Sequence, residues 1–330
     1  MARIAIARPP GRHGGNLATA TNWKQILTRL GHQVTLSEGW APHATGAADV
    51  LIALHARRSA QAIQAWRRAS TTAALIVAAT GTDLYQDLTG SRSLASEALA
   101  GFEAADRILV LQDKAPQALP EHLRSKARVI YQSVCTPAPH ERARPPVTPP
   151  LQVCLLAELR PVKDPLLVLE ALKRIPTEIQ VQVSHAGPAT DAELERTAKA
   201  ATESDTRYHW LGPCEHAEAL NLLAQSHLTL NTSLSEGGAR ALGEALSLDV
   251  PILASDVAGN RGMLGDAHPG LFPVGDAQAL AHALSRAAQE PSYREQLRDA
   301  GRERLILVRP QREEAAWAAL LDELLPSGGS

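Results

Sequence analysis

The sequence predicts an α/β protein built from two doubly wound domains, and three observations carry that prediction. Short apolar runs alternate with helical patterns along the whole chain. The alternation breaks once, over residues 134–150, and then restarts. Glycine-rich and small-residue loops follow several of the apolar runs, at the strand ends where an open parallel sheet holds its ligands.

The first run is "RIAIA" (3–7), followed by a Gly/Pro loop and a helical stretch from about 17 to 30 that Gly31 closes as a C-cap. "HQVTL" (32–36), "VLIAL" (50–54), "ALIVA" (74–78), "RILVL" (107–111) and "ARVIY" (127–131) follow as strands. Unbroken apolar runs bounded by turns fit parallel strands buried on both faces. Helices fill the intervals, one over 59–68 with Ser59 as its N-cap. Residues 134–150 hold six prolines, which make a stiff, extended linker. Then come "LQVCLLA" (151–157), a helix from Pro165, "IQVQVSHAG" (179–187), a helix from Asp191, "YHWLG" (208–212), a helix over 216–225, "HLTLNT" (227–232), "VPILAS" (250–255), and helices to the end. The expected division is 1–147, 148–310 and a final helical segment, 311–330. Two Rossmann-like domains of this kind would face a cleft, with ligand bound at the carboxyl ends of the strands.

The chain has 330 residues, a length suited to two domains of ~150. Its net charge of -2 gives no basic bias toward nucleic acid. No apolar run approaches the ~20 residues of a membrane helix, so no membrane is expected as a partner. "MARIAIARPPGRHGG" holds too short an apolar run for a signal peptide, and Arg8 interrupts it, so the expected location is cytoplasmic. Cys135, Cys154 and Cys214 are widely spaced without C-x-x-C, which argues against a disulfide framework or a zinc site.

The chemistry concentrates in "SEGGARALGEALSLDVPI" (235–252), where Glu236 and Glu244 stand eight positions apart. Glu236 follows a strand, and Gly237 and Gly238 let the backbone approach a ligand closely. A helix begins near Ala239 and Arg240, and its unpaired amides and partial positive charge suit a phosphate. Glu244, just over a turn into that helix, can accept two hydrogen bonds from a ribose diol. Glu236 can reach the hydroxyls of a sugar beyond the phosphates. One carboxylate per sugar with phosphates between them describes a nucleotide-sugar site, against the plainer reading of two surface glutamates at a helix start.

This E-x7-E pattern resembles that of family-4 glycosyltransferases of the GT-B fold, and "GPCEHAEALNLLAQSHLTLNTSLSEGGARALGEALSLDVPILASDVAGNRGML" resembles their second domain throughout. The resemblance implies a metal-independent hexosyltransferase using a UDP-sugar as substrate, with no cofactor. It makes "GNRGML", with Asn260, a loop over the diphosphate, and 311–325 a helix that crosses back to the first domain. It places Lys163, in "LAELRPVKDP", at the family's diphosphate lysine. The family's arginine falls on Glu158, so Arg160 either takes that role or leaves it to Lys163. Their task would be to neutralise charge on the departing diphosphate. Lys163, Arg160 and Glu236 are thus the catalytic candidates. His185, which ends a strand at "SHAGP", is expected to face the donor.

The resemblance gives the acceptor to the first domain. Gly14, Gly15 and Asn16 open a helix after "PPGRHGGN", a second anion cradle. Many family members carry a histidine in the loop after the fourth strand; here Thr80 stands ahead of Gly81, Thr82 and Asp83. With no imidazole there to take a proton, an acceptor that arrives as an anion fits better than a sugar alcohol. His55, Arg57 and Arg58 end the "VLIAL" strand and suit a phosphate-like group. "LIALHARRSA", "TGTDLY", "ADRILVLQ" and "LRSKARVIYQS" are similar to the selenosugar-synthase branch of the family, which serves selenoneine biosynthesis. That resemblance implies UDP-N-acetylglucosamine and selenophosphate as substrates, and a 1-seleno sugar, UDP and phosphate as products.

No D-x-D, Walker loop or G-x-S-x-G occurs, so no metal is expected to bridge the diphosphate. His185, His209 and His216 have no ligand spacing, and His209 and His216 read as structural or solvated. A family-4 enzyme with another acceptor, a nucleotide-sugar binding module without turnover, and a nucleotide-sugar 2-epimerase stay open, as does the oligomeric state.

Overall fold

A computed structural model describes residues 1–10, 15–41, 48–70, 72–134 and 148–325. They fall into two compact units, Met1–Gln132 with Pro310–Ser330, and Ser133–Arg309. The first unit carries strands β1 (Arg3–Arg8), β2 (Gln33–Glu38), β3 (Val50–Leu54), β4 (Ala74–Ala78), β5 (Arg107–Val110) and β6 (Ala127–Val129). They form one sheet in the order β2-β1-β3-β4-β5-β6, and every pairing is parallel.

All five residues of β3 are buried, because both faces of the sheet are covered. Val50, Ile52 and Leu54 pack in one layer with Trp23 and Trp317, and Leu51 and Ala53 in the opposite layer with Trp66 and Phe102. Each large side chain so buried contributes about 1.5–3 kcal/mol. The final helix, Pro310–Leu324, belongs to this unit. Its Glu313 accepts from the indole N–H of Trp23 at 3.0 Å, and Trp317 packs edge-on against Trp23.

The second unit repeats the plan with β7 (Leu151–Leu156), β8 (Val181–Ala186), β9 (Tyr208–Gly212), β10 (Leu228–Asn231), β11 (Ile252–Ser255) and β12 (Leu271–Phe272). The order is β12-β11-β10-β7-β8-β9, again all parallel. Two doubly wound sheets make this a GT-B-like α/β chain.

Several local expectations are corrected. Ser59 does not cap the Ala60–Ala69 helix; its hydroxyl donates back to the Leu54 carbonyl at 2.6 Å. "GNRGML" is not a loop but most of a helix, Ala258–Leu264. The helix expected from Pro165 starts at Leu167, after a 3₁₀ turn over Pro161–Lys163 and a left-handed Asp164. A single π-helical turn, Asp83–Asp87, and the two-residue β12 were not foreseen; neither is long enough to leave a periodic pattern. Cys154 and Cys214 are free, and burial pushes the Cys154 thiol up to about 12. Cys135 and linker residues 135–147 lie outside the described residues.

Candidate active site

In the second unit the strand order reverses between β7 and β10, which lie side by side. Ligands of open parallel sheets bind beyond the carboxyl ends at such a reversal. The segment leaving β7 makes the Pro161–Lys163 turn, and the segment leaving β10 carries Glu236. Two hydrogen bonds lace these segments together: Leu234 N–H to the Val162 carbonyl at 2.9 Å, and the Thr232 hydroxyl to the Lys163 carbonyl at 2.9 Å.

That lacing brings the Lys163 ammonium to 2.7 Å from Glu236 Oε1. The same oxygen accepts from the Ser233 hydroxyl at 2.6 Å and from the Asn231 amide at 3.3 Å. Burial alone would push the Glu236 carboxyl up, but the Lys163 charge and these donors outweigh it and hold the group below its ordinary range. Glu236 is therefore an anion, and Lys163 is half-buried beside it. Arg160 begins the same turn, is half-buried, and its guanidinium has no hydrogen bond or ion pair among the described residues. It stands as a second cation on the Lys163 segment.

Gly237 and Gly238 keep ordinary, non-left-handed backbone. The close approach falls instead on Gly259. A Cβ there would sit 2.0 Å from the Glu236 carbonyl oxygen, so only glycine lets the Ala258–Leu264 helix rest against the Glu236 backbone. Asn260, next along, is fully buried and donates to Asn231 Oδ1 at 3.0 Å and to the Ser255 carbonyl at 2.9 Å. It braces the residues that hold Glu236.

The Arg240–Ser247 helix starts after Ala239, and no side chain caps it. The Leu242 N–H turns back to the Ala239 carbonyl at 3.0 Å, which leaves the Arg240 and Ala241 amides at the helix start to meet an anion. Glu244 is buried within it, and burial raises its pKa against the opposing charge of Arg240. Arg240 Nε donates to Glu244 Oε1 at 3.0 Å. His216, read from the sequence as structural or solvated, lies with Nδ1 3.7 Å from the same oxygen. A sequence separation of 28 positions gave no spacing signal for that contact. His185 is corrected too. Its Nε2 lies 2.9 Å from the Ala157 carbonyl and its Nδ1 2.7 Å from the Tyr208 hydroxyl, and burial drives its pKa down to about 4. It is a neutral core residue whose ring nitrogens face protein.

In the first unit the order reverses between β1 and β3. Gly14 lies outside the described residues; Gly15 and Asn16 open the helix to Arg29. His55 directly follows β3 and is buried in left-handed backbone at φ 70°. Such a conformation costs a non-glycine residue about 1–3 kcal/mol and clusters at functional sites. His55 Nε2 is 3.0 Å from Thr82 Oγ1. The imidazole that the sequence placed nowhere near the Thr80–Asp83 loop is therefore there, supplied by the neighbouring strand rather than by the loop itself. Burial lowers the His55 pKa against the opposing charge of Asp83.

Asp83 organises this loop. Its Oδ1 accepts the N–H groups of Thr80, Gly81 and Leu84, and its Oδ2 accepts that of Ala56. Arg57 is bound to Asp87 at 2.9 Å, whereas Arg58 is exposed and its guanidinium has no partner among the described residues. Asp87, missed in the sequence, is placed by the π-helical turn.

Residues 140–304 match the family described as glycosyl transferases group 1, and the chain belongs to that family. Over 144 residues it is 28% identical to "Glycosyltransferase 1 domain-containing protein 1" of Xenopus tropicalis, covering 43% of this chain and 41% of that relative's length. In structure it is similar to a sucrose-phosphate synthase from Thermosynechococcus elongatus, with a TM-score of 0.79 at 17% identity over 98% of this chain and 99% of the other. It is also similar to Anabaena HepE in complex with UDP and glucose, with a TM-score of 0.76 at 16% identity over 98% and 100%. Among the described residues no helix is long and apolar enough to cross a membrane.

Proposed function

We propose that this glycosyltransferase moves N-acetylglucosamine from UDP-N-acetylglucosamine to selenophosphate. The observation that carries the donor half is the Lys163–Glu236 pair at the β7–β10 reversal, beside the uncapped helix that holds Glu244. Lys163, aided by Arg160 and the helix amides, meets the diphosphate. Glu236 accepts from sugar hydroxyls, and Glu244 from the ribose. The structure of HepE with UDP and glucose supports a nucleotide-sugar donor on this fold.

The acceptor half rests on the first unit's resemblance to selenosugar synthases and on Arg58, an exposed cation beside the strained His55. Selenium attacks the anomeric carbon, forming a C–Se bond as the bond from that carbon to the diphosphate oxygen breaks and UDP leaves. Water then cleaves the P–Se bond, giving phosphate and the 1-seleno sugar. Selenophosphate is already an anion, so no base need deprotonate it.

Mass spectrometry of products from UDP-N-acetylglucosamine with selenophosphate, beside thiophosphate and phosphate controls, tests this. A seleno sugar together with UDP supports it; UDP release only with a carbohydrate acceptor refutes the acceptor, and no release with any acceptor refutes transfer.

A further inference from the structure

We propose that His55 is a positioning residue that turns the Thr82 hydroxyl outward as a hydrogen-bond donor to an oxyanion of the acceptor. The inference rests on the reading that the first unit takes an anionic acceptor. Four observations lead to it.

The first is the proton on the ring. The Arg58 backbone N–H donates to His55 Nδ1 at 3.3 Å, so that nitrogen is an acceptor and the neutral ring carries its proton on Nε2. The second is the destination of that proton. Nε2 faces Thr82 Oγ1 at 3.0 Å, so the hydroxyl oxygen receives a hydrogen bond and its own proton must point elsewhere. Among the described residues the Thr82 hydroxyl has no second hydrogen-bond partner.

The third is the charge around the ring. Asp83 Oδ2 lies 3.8 Å from Nδ1 and Asp87 Oδ2 3.8 Å from Nε2. Asp83 is already met by four backbone amides and Asp87 by Arg57, so neither needs the ring as a cation. Arg58 is the exposed positive charge of the group. The fourth is the placement. Thr82 is half-exposed beyond the carboxyl end of β4, and the left-handed turn at His55 is what swings the imidazole from the end of β3 toward it. Strain of this kind persists where the surroundings over-determine it. Arg58 supplies attraction without direction, and Thr82 supplies direction without charge. A hydroxyl that accepts from Nε2 still has its proton to give, and the exposed Arg58 charge beside it favours an oxyanion as the group that takes it.

The test uses the full chain in four forms: wild type, Thr82→Val, Thr82→Ser and His55→Asn, the last because asparagine tolerates left-handed backbone. Nitrogen-15 spectra of the free wild type should show His55 protonated on Nε2 and bare on Nδ1. Phosphorus NMR titration with inorganic phosphate in the presence of UDP should show affinity falling about tenfold or more in Thr82→Val, the loss of one hydrogen bond to a charged group. Thr82→Ser should restore it, His55→Asn should fall between, and UDP affinity should stay constant in all four. With selenophosphate the loss should appear in the acceptor KM rather than in donor affinity. Phosphate affinity in Thr82→Val equal to wild type, or a ring protonated on Nδ1, overturns the inference. Should the wild type bind phosphate through Thr82 yet leave selenophosphate unreacted, the acceptor identity fails and the positioning role stands.

Discussion

The Lys163 ammonium and the Glu236 carboxylate meet at 2.7 Å although 73 positions separate them in the chain. The contact exists because β7 and β10 are neighbours whose exits are tied by Leu234–Val162 and Thr232–Lys163 hydrogen bonds. Each charge is the other's counterion. On the proposed reading, a diphosphate competes with Glu236 for Lys163, or shares it.

Lys163→Ala should lower activity about 100-fold or more, the scale of losing a preorganised charge on a leaving group. It should also destabilise the fold by roughly 1–3 kcal/mol, because Glu236 stays buried with weaker donors. The pair has a definite pH signature. Its folded-state pKa lies below the unfolded value, so the stability it contributes is complete above the ordinary carboxylate range and is lost as pH falls through the folded value. Denaturant midpoints between pH 7 and pH 3 should show an acid limb that Glu236→Gln reduces; an unchanged limb counts against the pairing.

Glu244 carries the opposite sign. Burial raises its pKa, so ionising it costs stability as pH rises above the unfolded carboxylate value. Glu244→Gln should therefore hold or raise Tm at pH 7 while weakening UDP binding by about tenfold or more, the value of a charge-assisted hydrogen bond. Calorimetry beside thermal melts separates the two effects. Unchanged UDP affinity would remove Glu244 from the ribose site.

Gly259 makes a purely steric prediction. Alanine would place a methyl 2.0 Å from the Glu236 carbonyl oxygen, so the helix must retreat. The expected loss is about 1–3 kcal/mol of stability, with Glu236 displaced from Lys163. Circular dichroism melts and steady-state rates should fall together in Gly259→Ala.

Much of this was legible in the residues. The apolar runs gave all the strands except β12, since parallel strands buried on both faces write an unbroken pattern. Glu236 and Glu244 stood out because a strand, two glycines and a helix frame them, and Lys163 because its segment resembles the family's diphosphate-lysine turn; that Lys163 and Glu236 meet at 2.7 Å was not legible. What was hidden depends on side-chain direction and on neighbours across the sheet. His185 reads as a ligand-facing strand end, yet its ring turns inward to Tyr208 and Ala157. His55 and Thr82, 27 positions apart, meet only because β3 pairs with β4 and the backbone at His55 is left-handed. His216 reaches Glu244 across the sequence in the same way.

His185 offers a direct check on that distinction. Burial puts its folded-state pKa at about 4, well below an unfolded histidine, so the unfolded chain binds the proton more readily. Its stabilising contribution is complete above the unfolded value and declines as pH falls from there toward 4. The ring resonance should show no titration near pH 6.5, and His185→Gln should reduce the loss of stability across that window. Donor affinity should change little, because the ring meets only protein.

Arg57 and Arg58 should part company, although the sequence treats them as a pair. Arg57 is held by Asp87, so Arg57→Ala leaves a buried carboxylate 3.8 Å from His55 without its guanidinium. The expected result is a loss of stability of about 1–3 kcal/mol, and a His55 that protonates at higher pH because an uncompensated anion faces it. Arg58 is exposed and its guanidinium has no partner among the described residues, so Arg58→Ala should leave stability within about 0.5 kcal/mol of wild type. Its effect should fall on the acceptor instead. The KM for selenophosphate should rise, more steeply at low salt than at high, because an exposed charge is screened by ions. Melting curves and acceptor kinetics at two ionic strengths decide the matter: equal kinetics for Arg58→Ala and wild type at both would remove Arg58 from the acceptor site.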